Sequence, residues 1–397
     1  MENKFAVFKI RPGAQPQSLH RKAIPDFSKS IKDMGEFDFS LLDVDVSDVN
    51  LSDAGEALKV MIFDNNVVFP GADKLPDGFV PNKILESGKD PGLGVRELHE
   101  RGITGRGVTI AIIDNPLDTA HQEIKDNLIH YESVGYPSDV PLVADMHATA
   151  VSSLACGKSI GVAPDAKLVY FAANFYSGAP DEKPFVQSDH AGKQWEIYFS
   201  NYAKVLRKIL FMNLRLPEDK RISAVSISWG MLGKDPECTE LINQLINSGV
   251  LVLTTDPWNF YGEKAHFGRV HRTLNSDPNS VGAYEYDRLR GTGDSNRILV
   301  PAGGRTLAGF CGHDNYVYTG TGGLSWSTPY LVGVYAMAKQ VYPNLTPDHF
   351  FDVVRSTGQR KEADSENNHD IVIQPQKVIA HLQNELLLQR QSARDME

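Results

Sequence analysis

The run Gly107–Asp114 (GVTIAIID) is β-branched or apolar from Val108 to Ile113 and stops at a carboxylate. A strand with no polar alternation has both faces covered, which is the condition of a strand inside a parallel sheet sandwiched between helices. Similar runs follow at Lys167–Ala172, Ala224–Ser228 and Val250–Leu253, separated by stretches of helical period. The alternation implies βαβ units and an α/β fold on a mainly parallel sheet. In such sheets sites gather at the carboxyl ends of the strands, so Asp114 falls where chemistry is expected.

A second segment, Gly320–Ala336 (GTGGLSWSTPYLVGVYA), runs from small glycine-rich sequence through serine into an apolar helical pattern. That is a way to mount a serine at the start of a buried helix. A serine hydroxyl is a poor nucleophile at neutral pH and needs a base, which in turn needs an orienting carboxylate. His147, in DMHATAVSSLA, heads another apolar helix, and Asp114 supplies the carboxylate. Each residue alone has a plain structural reading: a helix cap for the serine, a turn former for the aspartate, a core residue for the histidine. Together, in the chain order Asp, His, Ser, they read as a catalytic triad.

Several segments then fall in one order. GITGRGVTIAIIDNPLDTAHQEI, HATAV, GVAPDAKLVYF, AVSISWG, INSGVLVL, ILVPAGG and GLSWSTPYLVG resemble, in turn, the conserved stretches of subtilisin-like serine proteases (subtilase family, peptidase family S8) from about Gly92 to about Leu382. The resemblance implies a three-layer α/β fold and a serine endopeptidase with Asp114, His147 and Ser325 as catalytic residues. Ser327 is the competing serine, but alignment on Thr328-Pro329 and Gly333 favours Ser325. Ser228, Trp229 and Gly230 resemble the edge that pairs with an extended peptide substrate, and Trp229 either narrows a specificity pocket or packs into the core. The family's second oxyanion donor is an asparagine beyond the strand at Val250–Leu253. Here the turn reads TTDPWNFYG, and Asn259 is the expected donor, with a loop about one residue longer than usual; an ungapped match gives Trp258, and Asp256 is a third option whose carboxylate would oppose an oxyanion unless protonated.

Other positions depart from the family pattern: Ala148 and Ala150 in the histidine motif, Leu324 before the serine, Tyr330 after Thr-Pro. Glu123 stands where a calcium ligand of the family lies, but ACGKSIGVAPD is too short for the calcium loop. One carboxylate is a poor calcium site, so no metal and no cofactor is expected.

Residues 86–384 are thus expected to form the catalytic domain and 385–397 a mobile tail. Residues 1–85 lie outside the resemblance and read as a small α+β extension: a strand at KFAVFKI, a short helix at FSKSIKDMG, a helix or strand at EALKVMIFDNNVVF turning at Asp-Asn-Asn, and a linker at LPDGFVPN. Two expectations stand for it, an inhibitory prodomain-like segment acting intramolecularly and a permanent accessory domain. Residues 188–215 read as one long amphipathic helix.

At 397 residues, 41% hydrophobic and 23% charged, the chain can bury a large core. A net charge of −10 offers no broad footprint for nucleic acid or anionic membrane, leaving a peptide or protein substrate as the expected partner. Cys156, Cys238 and Cys311 suit neither a disulfide framework nor a metal site, and no secretory signal or membrane span is read, so a cytoplasmic setting is expected. The functional expectation is a cytoplasmic processing protease of restricted substrate. The alternatives are a pseudoprotease that binds peptides or a partner on the same fold, and an enzyme that transfers the acyl group to an amine.

Overall fold

The computed structural model describes residues 7–10, 13–17, 40–188, 194–286, 296–361 and 369–395. Its centre is a five-stranded parallel sheet in the order Leu128–Val134, Lys167–Ala173, Thr109–Asp114, Ile222–Ile227, Leu251–Thr254. All residues of Thr109–Asp114 are buried, as the unbroken apolar run requires. The two faces follow the period-two alternation of a strand. Ile110 and Ile112 join the core that includes Val151 and Leu154 of helix Met146–Cys156 and Leu331 and Val334 of helix Leu324–Val341. Ala111 and Ile113 pack on the opposite side with Leu206 and Ile209 of helix Ser200–Arg215 and Ile242 of helix Pro236–Asn247. Helix, sheet and helix therefore form three layers. Within the first helical layer, helix Leu324–Val341 packs closely on the end of helix Met146–Cys156 at Gly333, where a Cβ would stand 2.6 Å from Val162 Cβ and 3.1 Å from Ala155 O.

Residues 188–215 are not one helix. A hairpin of Phe185–Ser188 and Gln194–Ile197 precedes helix Ser200–Arg215. The helical stripe holds from Tyr202 onward, whereas Trp195 and Ile197 follow the alternation of a strand.

The N-terminal segment is built into the rest of the molecule. Helix Gly55–Val60 and strand Ile62–Asp64 end at an Asx turn in which Asp64 Oδ1 accepts the Asn66 N–H at 3.2 Å. Strand Ile62–Asp64 pairs in parallel with Ser40–Leu41 and antiparallel with Tyr316–Thr319, which pairs in turn with Arg305–Ala308. Ile10 makes a single bridge to Tyr131, while FSKSIKDMG and the start of KFAVFKI lie outside the described residues. The expected linker leads into helix Pro81–Gly88, which runs across position 85. Two buried arginines hold the end of that helix: Arg272 Nη2 donates to Ser87 O at 2.8 Å, and Arg305 Nε donates to Gly88 O at 3.3 Å. Carbonyls at a helix C-terminus carry the partial negative charge that suits such cations. The final helix, Pro375–Asp395, continues past 384 with its outer end exposed.

Candidate active site

Asp114 is the last residue of its strand, and its side chain is 6% exposed. His147 opens helix Met146–Cys156, where the Asp145 side chain caps the helix by accepting the His147 N–H at 2.8 Å. This geometry brings His147 Nδ1 within 2.9 and 3.0 Å of the two Asp114 oxygens. The Asn115 N–H also donates to Asp114 Oδ1 at 2.8 Å, so the carboxylate is held from behind. Burial pushes the imidazole pKa down, but the charge and hydrogen bond of Asp114, with the charge of Asp145, outweigh it and set His147 above the ordinary histidine value.

Ser325 lies in the first turn of helix Leu324–Val341 and shares one cavity wall with His147. Its local structure follows from Pro329, four residues on. Proline has no N–H to donate to the carbonyl of Ser325 and so frees it. The freed carbonyl accepts from Ser228 Oγ at 2.9 Å, and Ser325 Oγ donates to Ser228 O at 3.2 Å. No hydrogen bond joins Ser325 to His147 among the described residues; the hydroxyl rests on the strand end at Ser228 O, while both residues line the same cavity. Gly322 is required here, because a Cβ on it would stand 2.0 Å from Trp326 Cδ1 and 2.6 Å from Ala302 O. Ser327 is fully buried, its hydroxyl donating to Val300 O at 3.3 Å.

The remaining expected residues divide. Ser228 touches Ser325 as described, and Gly230 follows it at the strand end beside Thr255 and Asp256. Trp229 packs in an aromatic cluster, with ring centroids 5.3 Å from Phe175, 5.7 Å from Phe199 and 5.1 Å from Tyr202. Asn259 donates to Asp256 Oδ2 at 2.9 Å and sits against Gly233, and it does not line the cavity at Ser325. The TTDPWNFYG turn becomes the short helix Trp258–Tyr261, in which Trp258 and Asn259 are exposed. Glu123 is buried and takes hydrogen bonds from Ser159 N, Ser159 Oγ and Tyr316 Oη at 2.7, 2.5 and 2.5 Å.

Three residues near the site were not expected. Trp326 stacks at a tilt on His147, centroid to centroid 5.2 Å. His271 Nε2 lies 3.1 Å from Gly322 O. Arg269, two residues before it on strand Phe267–Arg272 and so on the same face, brings Nη1 to 3.7 Å from where a Cβ on Gly323 would stand; Ser325 N is equally far from that point. Only the alternation of Arg269 and His271 along FGRVHR could have signalled this pair.

Comparison with known proteins agrees with this frame. Residues 105–256 match the Subtilase family (peptidase S8). That stretch contains Asp114, His147 and Ser228–Gly230, and ends before Ser325. Over those residues, less than half of its length, the chain is similar to that family. The minor extracellular protease Epr of Bacillus subtilis (strain 168) is 21% identical over 294 residues, which is 72% of this chain and 41% of that protein. The chain therefore spans less than half the length of the curated relative. A chain from the structure of the subtilase cytotoxin SubAB assembly superposes with a TM-score of 0.51 at 14% identity, covering 74% of this chain and 96% of that one, a likeness of fold.

Proposed function

We propose that the protein is a serine endopeptidase that hydrolyses peptide bonds through an acyl-enzyme on Ser325. The observation that carries this reading is the paired hydrogen bond from His147 to Asp114 on the wall of the cavity that also holds Ser325. Ser325 Oγ leaves Ser228 O, attacks the substrate carbonyl and gives its proton to His147 Nε2; His147 returns it to the leaving amine. Asp114 holds Nδ1 protonated and stabilises the imidazolium. A water molecule then attacks the acyl carbonyl by the same route and regenerates Ser325. The Ser325 N–H, in the first turn of its helix, faces the developing oxyanion, and Arg269 adds positive charge at the same helix start. An extended substrate runs along Ser228–Gly230 by backbone pairing. The three cysteines are free, which supports a reducing, cytoplasmic setting and, with it, a processing role on restricted substrates.

A second reading, a pseudoprotease that binds peptide without cutting it, draws support from the resting position of Ser325 Oγ and from the engagement of Asn259 with Asp256. Covalent labelling with a fluorophosphonate probe separates the two. The peptidase reading expects labelling of the wild type and of Ser327→Ala if that variant folds, and none of Ser325→Ala. A folded wild type that stays unlabelled sinks it.

A further inference from the structure

The cavity beside Ser325 has a volume of about 390 Å³. Liquid water takes about 30 Å³ per molecule, so the space holds a large side chain with room to spare. Its walls are mostly apolar: Leu42, Ile62, Leu307, Phe310, Val317 and Trp326. Two of these, with Gln17 and Ser40, come from the N-terminal segment rather than from the catalytic region. None of Ser228, Trp229 and Gly230 lines it, so it is distinct from the strand end along which the peptidase reading runs the acyl part of a substrate.

Resting on the peptidase reading, we infer that this cavity receives a bulky apolar side chain, of the leucine, methionine or phenylalanine kind, from the residue that follows the scissile bond. Gln17, Ser40, Leu42 and Ile62 of the N-terminal segment are then a permanent wall of the substrate site. Continuity argues for the occupant: His147, which hands its proton to the leaving amine, and Ser325 belong to the same lining, so the first residue of the leaving group must enter beside them. Asp145 at the lining opposes an acidic side chain there. Construction argues for permanence. Strand Ile62–Asp64 supplies the pairing partner of Tyr316–Thr319, and Gly320 N donates to Met61 O at 3.0 Å. A Cβ on Gly320, five residues before Ser325, would stand 2.3 Å from Lys59 O. Leu41 and Phe63 are wholly buried, and Phe63 packs on Tyr318 with centroids 5.3 Å apart. Removing the segment would strip the strand that leads to the serine turn of its neighbour.

The test is cleavage of a mixed peptide library by the full chain, read by mass spectrometry. Wild type should favour leucine, methionine or phenylalanine after the cleaved bond over aspartate by about tenfold or more, and Leu42→Trp should reduce that ratio by about tenfold by filling the cavity. Gln17→Trp fills it from an exposed position and serves if Leu42→Trp does not fold. Cleavage with no preference at that position, or a preference untouched in both folded variants, overturns the inference and leaves the peptidase reading standing. If wild type neither cleaves nor takes the fluorophosphonate, the peptidase reading has failed by itself. Titration of Ser325→Ala with the tetrapeptides Leu-Gly-Ala-Gly and Asp-Gly-Ala-Gly then decides the cavity: tighter binding of the first, abolished by Leu42→Trp or Gln17→Trp, upholds it, and equal or absent binding overturns it.

Discussion

Replacing Asp114 with asparagine removes one charge and almost no volume. The two carboxylate oxygens lie 2.9 and 3.0 Å from His147 Nδ1, and Oδ1 also accepts the Asn115 N–H at 2.8 Å. That backbone bond would hold the amide oxygen of the variant on the Oδ1 side and place its NH2 where Oδ2 stood. Half of the group facing the ring is then a donor, opposed to a protonated Nδ1. When His147 becomes imidazolium during attack, the lost partner is a full negative charge at about 2.9 Å. With an effective dielectric of about 20 this is worth ~6 kcal/mol. At 1.36 kcal/mol per decade that is about four decades of rate, close to the ten-thousandfold loss for the same change in a triad of this type. The imidazole is 29% exposed, so solvent screens part of the charge and four decades is a ceiling; about two is the floor. The assay is the rate of fluorophosphonate labelling and of peptide hydrolysis at mildly alkaline pH, with circular dichroism as the check on folding. A folded Asp114→Asn within about tenfold of wild type would refute the argument, making the Asp114–His147 pair a structural contact.

Further outcomes follow from the same geometry. His147 must be neutral to act as base and its pKa is raised, so activity should fall as pH drops through a value above the ordinary 6.5. Asp145→Asn keeps a good helix cap while removing one of the raising charges, so this acid limb should move to lower pH in a pH–rate profile; a limb that stays in place contradicts the assignment. Arg269→Gln should lower kcat about 10- to 100-fold with little change in KM, the pattern of a group that acts on the transition state, and an effect on KM alone would argue otherwise. Ser228→Ala leaves the Ser325 carbonyl without its donor and should cost about 1–3 kcal/mol in a denaturant melt. Gly333→Val drives side-chain atoms into Val162 and should destabilise by about 1–3 kcal/mol on the same measurement.

The central strands were legible because burial on both faces leaves a local trace, an unbroken apolar run, and the strands at 109–114, 167–173, 222–227 and 251–254 agree with the runs to within two residues. The catalytic candidates were legible because each sits at a junction with its own signal: a carboxylate ending a strand, a histidine after a capping aspartate, a serine between glycines and Thr-Pro. What failed to show was non-local or depended on register. Nothing in LKVMIFD announces that Ile62–Asp64 will pair with Tyr316–Thr319, some 250 positions away, and so the wall of the cavity was invisible. Trp195 and Tyr198 stand three apart and in helical register with Tyr202 and Leu206, while Trp195 and Ile197 alternate like a strand, and only the pairing with Phe185–Ser188 decides between them. The placement of Asn259 turned on a single residue of loop length, which side-chain periodicity does not encode.

Why residues so far apart in the chain converge is a property of the sheet more than of the motifs. In a parallel sheet every carboxyl end lies on one edge, and adjacent strands stand about 4.8 Å apart. Thr109–Asp114 and Ile222–Ile227 are direct neighbours, so Asp114 and Ser228 emerge side by side whatever the intervening loops do. The histidine helix and the serine helix both start at that edge, one capped by Asp145 and the other tied through the Ser325 carbonyl that Pro329 frees. The proline is therefore part of how the serine is positioned: with no N–H at 329, the Ser325 carbonyl has no helical donor and takes the Ser228 hydroxyl instead. The resting hydrogen bond of Ser325 Oγ to Ser228 O belongs to the same arrangement. A hydrogen bond of that kind is worth about 1 kcal/mol net, so releasing the hydroxyl toward His147 is a small step beside the barrier to acyl transfer.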